Sequence, residues 1–178
     1  MSEVPGQQVV IGLGANVPGP AGAPAKSIAA AVEALRGLMS IEGVSGLYAN
    51  PAFPAGAGPD FTNAALTGRT AMGAKDLLEA LLSLERRLGR VRGKPWEPRP
   101  IDLDILDYGG EVSAGYWLAA AAGERPPAAP NLILPHPRLH LRRSVLVPLC
   151  EIAPEWRHPA LGLSARQLLA ALEGPIRR

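Results

Sequence analysis

Two carboxylates two residues apart, Asp102 and Asp104, stand in the stretch "RPIDLDILDYGG" at residues 99–110. Ile101, Leu103 and Ile105 alternate there with Asp102, Asp104 and Leu106, the period of a pleated strand with one apolar face. The other face begins with acid. Carboxylates are rarely buried unless a cation pairs with them, so the strand raises the question of what cation these two face. Just before it, a proline-stiffened loop carries Arg90, Arg92, Lys94 and Arg99. Residues two apart on a strand lie about 6.6 Å along it, within reach of two metal ions about 3.5–4 Å apart. Hard carboxylates with no His or Cys beside them suit Mg²⁺, which takes one or two protein carboxylates and fills its shell with water and phosphate oxygens. The arginines then have an anion to hold, because guanidinium forks bind phosphate oxygens and neutralise charge on a polyphosphate during transfer. A solvated salt-bridge cluster at a strand edge is the plain alternative. The arginine loop, Trp96 within it and the apolar strand weigh toward metal ions carrying a nucleotide's phosphates.

Two other phosphate motifs fail. In "GLGANVPG", Gly12 and Gly14 match the start of a dinucleotide fingerprint, but Val17 stands where the third glycine belongs. The spacing from Gly14 to Gly19 fits a P-loop, yet Pro20 and Ala21 replace its Lys and Ser/Thr. A turn needing positive φ is the expected use of these glycines.

The elements that position these residues follow from periodicity. "QQVVIGLGAN" reads as a strand running into a loop, and Ile28, Val32, Leu35 and Met39 give a helix over 27–39 with Ser27 as its cap. "IEGVSGLYAN" and "FTNAALTGRT" read as two strands around the loop "PAFPAGAGP". "AKDLLEALLSLERRLGR" is a helix with Leu77, Leu81, Leu84 and Leu88 on one face and Gly89 as its stop. After the acidic strand comes an Ala- and Pro-rich insertion over 111–130, whose middle has room for a helical turn or two. A short strand, a Pro-pinned turn and a buried segment follow over 131–156, and then a terminal helix capped by Ser164. This order predicts an α+β sandwich with a largely antiparallel sheet, not a doubly wound parallel one.

With 178 residues, 47% of them hydrophobic and 19% charged, the chain suits one folded domain spanning 1–178. A net charge of +2 does not announce a nucleic-acid protein. The single cysteine, Cys150, excludes an internal disulfide and fits a reducing compartment. No apolar run approaches the ~20 residues of a membrane span, and "MSEVPGQQ" lacks the features of a signal peptide, so a cytoplasmic protein is expected.

The stretch "LERRLGRVRGKPWEPRPIDLDILDYGG" resembles the central signature of the 6-hydroxymethyl-7,8-dihydropterin pyrophosphokinases of folate biosynthesis, with "WEPRPIDLDIL" the most specific part. "IGLGAN", "PDFTNAAL" and "LILPHPRLHLRRSVLVPLCEIAPEW" resemble further family segments in the same order. The resemblance implies a ferredoxin-like α+β core with extra helices, and transfer of pyrophosphate from ATP to the pterin's hydroxymethyl group with release of AMP. It also implies roles. Asp102 and Asp104 hold two Mg²⁺ ions, Arg92 and Arg99 grip the phosphates, and His136, Arg142, Glu85 and Ile105 complete the ATP site. Asn63 bonds the pterin and Phe61 stacks on it, Asn50, Pro51 and Phe53 belong to the pterin loop, and Trp96 rides a lid formed by residues 90–99. An aromatic face and an amide two apart on one strand do suit a flat, nitrogen-rich ring. ATP and the pterin are the implied partners of a monomer, with no nucleic acid and no membrane.

The chain departs from the family pattern at Ser144, where an aromatic residue usually closes the second pterin face, and at Pro95, Ala49 and Asn50. Phe53 is the residue expected to supply the missing face. Two readings beside the main one follow: a family member that binds ATP or pterin without turnover, and a small Mg-dependent nucleotidyltransferase, which would release pyrophosphate in place of AMP. A nucleic-acid-binding module gripping backbone phosphates is disfavoured because the basic residues are not interleaved with a set of exposed aromatics.

Overall fold

The side chains of β1 (Gln7–Ala15) alternate in direction with the pleat, and both faces are buried: Val9, Ile11, Leu13 and Ala15 enter the main hydrophobic core, while Val10 joins a second cluster on the opposite face. The computed structural model describes residues 6–51, 58–91, 97–124 and 130–173. Within it β1 lies at the centre of an antiparallel sheet in the order β2 (Ser40–Val44), β4 (Phe61–Thr70), β1, β5 (Asp102–Tyr108), with β3 (Tyr48–Asn50) also paired to β4. Helices α1 (Pro24–Leu35) and α2 (Ala74–Arg87) cross over between parallel, non-adjacent strands and cover one face with Ile28, Ala31 and Leu35, and with Leu77, Leu81 and Leu84. This is the ferredoxin-like arrangement.

The other face is only partly covered. Helices α4 (Arg143–Ile152) and α5 (Ala165–Glu173) pack Leu146, Leu149, Ala165 and Leu168 against Val10, Ala65 and Leu106. They leave the Gly14 end of the sheet open. A bulge in β5 creates this arrangement, because Val10 pairs with Asp107 and Ile11 with Ile105, so Leu106 is the extra residue. Leu106 and Asp107 therefore both turn to the α4 side, and Tyr108 returns to the main core.

Several expectations change in detail. α1 begins at Pro24, where a proline needs no N–H, and Ser27 is buried inside the helix and does not cap it. The expected strand over 41–50 divides into β2 and β3, because Ser45 turns inward to bond Ala65 through both its N–H and its hydroxyl. Residues 131–134 form no strand, and the buried segment after them is α4, in which Pro148 is accommodated on a helix held by packing on β4. Among its described residues the insertion holds one short helix, α3 (Trp117–Ala121). Ser164 does cap α5: its Oγ accepts from Gln167 N–H at 3.2 Å, and Gln167 Oε1 accepts from Ser164 N–H at 2.9 Å. Gly12 and Gly14 lie within β1 and not at positive φ, so a turn is not what requires them.

Candidate active site

Gly14 pairs with Asn63 on one side and Asp102 on the other, and Gly12 pairs with Ala65 and Asp104. Both glycines face the open side of the sheet. A Cβ at Gly14 would stand 3.1 Å from Asn63 Oδ1 and 4.0 Å from Asp102 Cβ, so the missing side chain keeps a flat floor between the amide and the acid. Tyr48 of β3 lies opposite Asn63, and Asn50 opposite Phe61, extending the floor to the sheet edge. Above it opens a cavity of about 710 Å³. Its floor includes Phe61, Asn63, Asp102 and Asp104, its rim Asn50 and Pro51, and its far wall His136, Arg138, Leu141, Arg142, Ser144 and Val145.

Cations crowd the acidic end. Arg99 Nη1 donates to Asp102 Oδ2 at 2.9 Å, and Arg90 Nη1 bridges Asp102 Oδ1 and Glu85 Oε1. Arg90 turns inward because α2 ends in a tight reversal: Gly89 has φ 90° and Arg90 N–H donates to the Glu85 carbonyl at 2.9 Å. Burial opposes the Arg90 charge, and the attraction of Asp102 and Glu85 outweighs it. Glu85, only 2% exposed, also accepts Leu103 N–H at 2.8 Å; burial raises its pKa against those two partners. Asp104 has no hydrogen-bond partner among the described residues, and burial followed by repulsion from Asp102 pushes its pKa up to about 7. Arg142 opposes that rise.

His136 is held beside β5 by its N–H, which donates to the Leu106 carbonyl at 2.8 Å. Burial first, and then Arg142, lower its pKa to about 4. Its Nδ1 accepts Arg138 N–H at 3.2 Å, so the neutral ring carries its proton on Nε2. Asn63 Nδ2 is buried without a hydrogen-bond partner, a donor that ordinarily finds one. The cleft thus combines an acid pair, guanidinium groups, a neutral imidazole donor and an unpaired amide beside an aromatic ring.

A family model described as 7,8-dihydro-6-hydroxymethylpterin-pyrophosphokinase matches residues 10–154. The chain belongs to that family. A 2-amino-4-hydroxy-6-hydroxymethyldihydropteridine pyrophosphokinase of Methylorubrum extorquens is 38% identical over 92% of each chain. One of Pseudomonas aeruginosa is 35% identical over 93% of this chain and 91% of its own. In fold, the chain resembles a Plasmodium falciparum HPPK-DHPS crystal structure with a TM-score of 0.66 and 14% identity, covering 96% of this chain and 42% of that longer one. The activity is ATP-dependent transfer of pyrophosphate to hydroxymethyldihydropterin in folate synthesis.

In this pyrophosphokinase the structure brings Asn50, Pro51, Phe61, Asn63, Arg99, Asp102, Asp104, His136 and Arg142 to one cavity. Two expected ATP residues do not line it. Glu85 is buried beneath, holding Arg90, and the Ile105 side chain points into the core under α1 and α2. Phe53, Arg92 and Trp96 lie outside the described residues, as does half of the expected lid, residues 92–96. Arg138 was not singled out from sequence, and Arg90 was counted only as one of four loop cations. The reversal at Gly89 was the available signal for Arg90; nothing in the spacing pointed to Arg138. Ser144 lines the cavity next to Val145, so the departure from the family's aromatic falls on the site itself.

Proposed function

We propose that Asp102 and Asp104 would hold two Mg²⁺ ions beside the ATP phosphates, and that Phe61 and Asn63 hold the pterin at the other end of the same floor. The row Asn63–Gly14–Asp102 carries this reading. It spans two strand spacings, about 9.6 Å, a distance suited to a bicyclic ring at the amide with its hydroxymethyl arm directed to the phosphates. The donor set fits Mg²⁺, which binds one or two hard carboxylates such as Asp102 and Asp104 and completes its shell with water and phosphate oxygens. When bound, Mg²⁺ would supply the positive charge that Asp104 lacks and withdraw electrons from the phosphates.

The chain's own groups do the rest. As phosphate enters, Arg90 and Arg99 exchange one partner, Asp102, for another, so their charge moves onto the transferring group without a large displacement. Arg142 and the Nε2–H of His136 face the same space and donate to phosphate oxygens. The pterin hydroxyl oxygen attacks the β-phosphorus and releases its proton to solvent, the bond from that phosphorus to the α–β bridging oxygen breaks, and AMP leaves with that oxygen. Asn63 Nδ2–H finds its acceptor on the ring, and Phe61 stacks on a ring face. Arg92 and Trp96 remain assigned to ATP, and Asn50, Pro51, Phe53 and again Trp96 to the pterin. We read the protein as a monomer acting as one domain over 1–178. No helix among the described residues is long and apolar enough to cross a membrane; the setting we propose is the cytoplasm, where ATP is abundant.

The test is incubation with ATP, Mg²⁺ and 6-hydroxymethyl-7,8-dihydropterin, with AMP and pterin diphosphate measured. AMP equal to a pterin-free control would refute turnover, and pyrophosphate released in place of AMP would indicate nucleotidyl transfer.

A further inference from the structure

Asn16 lies just beyond the end of β1, is only 4% exposed and does not line the cavity. Its side chain uses both ends. Oδ1 accepts Arg99 N–H at 2.8 Å, and Nδ2 donates to the Pro59 carbonyl at 3.2 Å. The Asn16 N–H also donates to the Arg99 carbonyl at 3.0 Å, so Arg99 is held on both backbone sides. Two residues past Pro59 is Phe61, and Arg99 is the cation on Asp102. Gly58 closes the same junction, since a Cβ there would lie 3.3 Å from Pro98 Cγ and 3.7 Å from Asn16 Nδ2. Three chain segments that are remote in sequence therefore meet on one amide.

We propose that Asn16 is a positioning residue that sets the pterin-side strand entry and the phosphate-side arginine relative to each other, through two separable arms. The acceptor arm aligns Arg99 and the donor arm aligns the approach to Phe61. An amide is required because only it offers an acceptor and a donor on one short side chain. The inference rests on the proposed assignment of Phe61 to pterin and Arg99 to phosphate.

Asn16→Asp keeps an acceptor for Arg99 N–H and replaces the donor to Pro59 with a second oxygen that repels its carbonyl. Asn16→Leu removes both arms at similar volume. Calorimetric titration with a pterin analogue in the presence of Mg²⁺ and a non-hydrolysable ATP analogue, and separately with the Mg-nucleotide alone, reads the two arms. Asn16→Asp is expected to weaken pterin binding about fivefold, the loss of roughly one hydrogen bond, with nucleotide binding changed less than about twofold. Asn16→Leu is expected to weaken both. Equal losses of both ligands in Asn16→Asp, or no loss in either variant, would overturn the two-arm role. A fall in melting temperature with ligand affinities intact would likewise leave Asn16 as scaffold only. The wild-type AMP assay is run alongside: if wild type forms no AMP, it is the reaction assigned to the site that has failed, whereas normal wild-type turnover with unselective variants counts against Asn16 alone.

Discussion

At the scale of single residues, the two acids of the cleft are chemically unlike. Asp102 is neutralised by Arg90 and Arg99, whereas the half-buried Asp104 carboxylate has no hydrogen-bond partner among the described residues and its pKa is raised to about 7. Asp102→Asn and Asp104→Asn should each lower AMP production roughly 100-fold or more, as expected for losing charge stabilisation of several kcal/mol. Their stabilities should diverge. Asp102→Asn strips two guanidinium groups of their carboxylate and is expected to lower the melting temperature, while Asp104→Asn removes a repelled carboxylate and is expected to leave it unchanged or higher. Near-normal Mg²⁺-dependent turnover in either variant would contradict the metal assignment. Ser144 makes the other residue-scale prediction. If Phe61 supports one pterin face, Ser144→Phe adds a second, and aromatic stacking of about 0.5–1.5 kcal/mol should tighten pterin binding by up to roughly tenfold with nucleotide binding unchanged. An added ring that weakens pterin binding would show that another group already fills that face.

At the scale of elements, β1 functions through what it lacks. Its core face carries Val9, Ile11 and Leu13, and its cleft face carries Gly12 and Gly14. Gly14→Ala would place a methyl carbon 3.1 Å from Asn63 Oδ1 and turn that amide away. The pterin KM should rise about tenfold, the order of one disturbed buried hydrogen bond, while the ATP KM stays within about twofold. Gly12→Ala is the control, because its nearest neighbours, 3.3–3.5 Å away, are side-chain atoms of Leu106 that can shift. Steady-state kinetics with each substrate varied separates the two, and a matching effect from both alanines would argue against a specific Asn63 role. The alternation of β5 was legible from sequence, and so was the face bearing Asp102 and Asp104. The bulge at Leu106 was not, since one extra residue leaves no mark on a short apolar run. Likewise Pro148 hid α4, whose helix is stabilised by tertiary packing and not by local preference.

At the scale of the whole molecule, the far side of the α4 and α5 layer stores a pH dependence. His158 is fully buried, ringed by Trp117, His140 and Trp156, with Nδ1 accepting the N–H groups of Ala160 and Leu161. Burial first, then His140, lower its pKa to about 4 from 6.5. The unfolded chain therefore binds this proton more readily than the folded one. The sign follows: stability is whole above about pH 6.5 and declines as pH falls toward about 4, by roughly 3 kcal/mol for this group. His136 acts in the same direction, and Asp104, whose raised carboxyl takes its proton in the folded state, acts in the opposite one. His158→Asn keeps an acceptor for the two N–H groups and removes the titration. Its melting temperature should fall less steeply than wild type between pH 6.5 and 4.5, and parallel curves would show that His158 does not titrate in this range.

By itself the sequence determined the kinds of chemistry present and the periods of the elements that carry them. An acid pair on an apolar strand, arginines before it and an aromatic–amide pair are local patterns, and side-chain identity with spacing is enough to read them. Only the tertiary structure decided which of these groups share a space. Asn63, Gly14 and Asp102 are remote in sequence yet form one row, because antiparallel pairing of β4, β1 and β5 fixes their register. The packing of α2 on the sheet buried Glu85 beneath the cleft, and the turn after α2 and the loop after Pro137 brought Arg90 and Arg138 to it. Register depends on which hydrophobic faces are buried together, a property of the assembled sheet that no single strand contains.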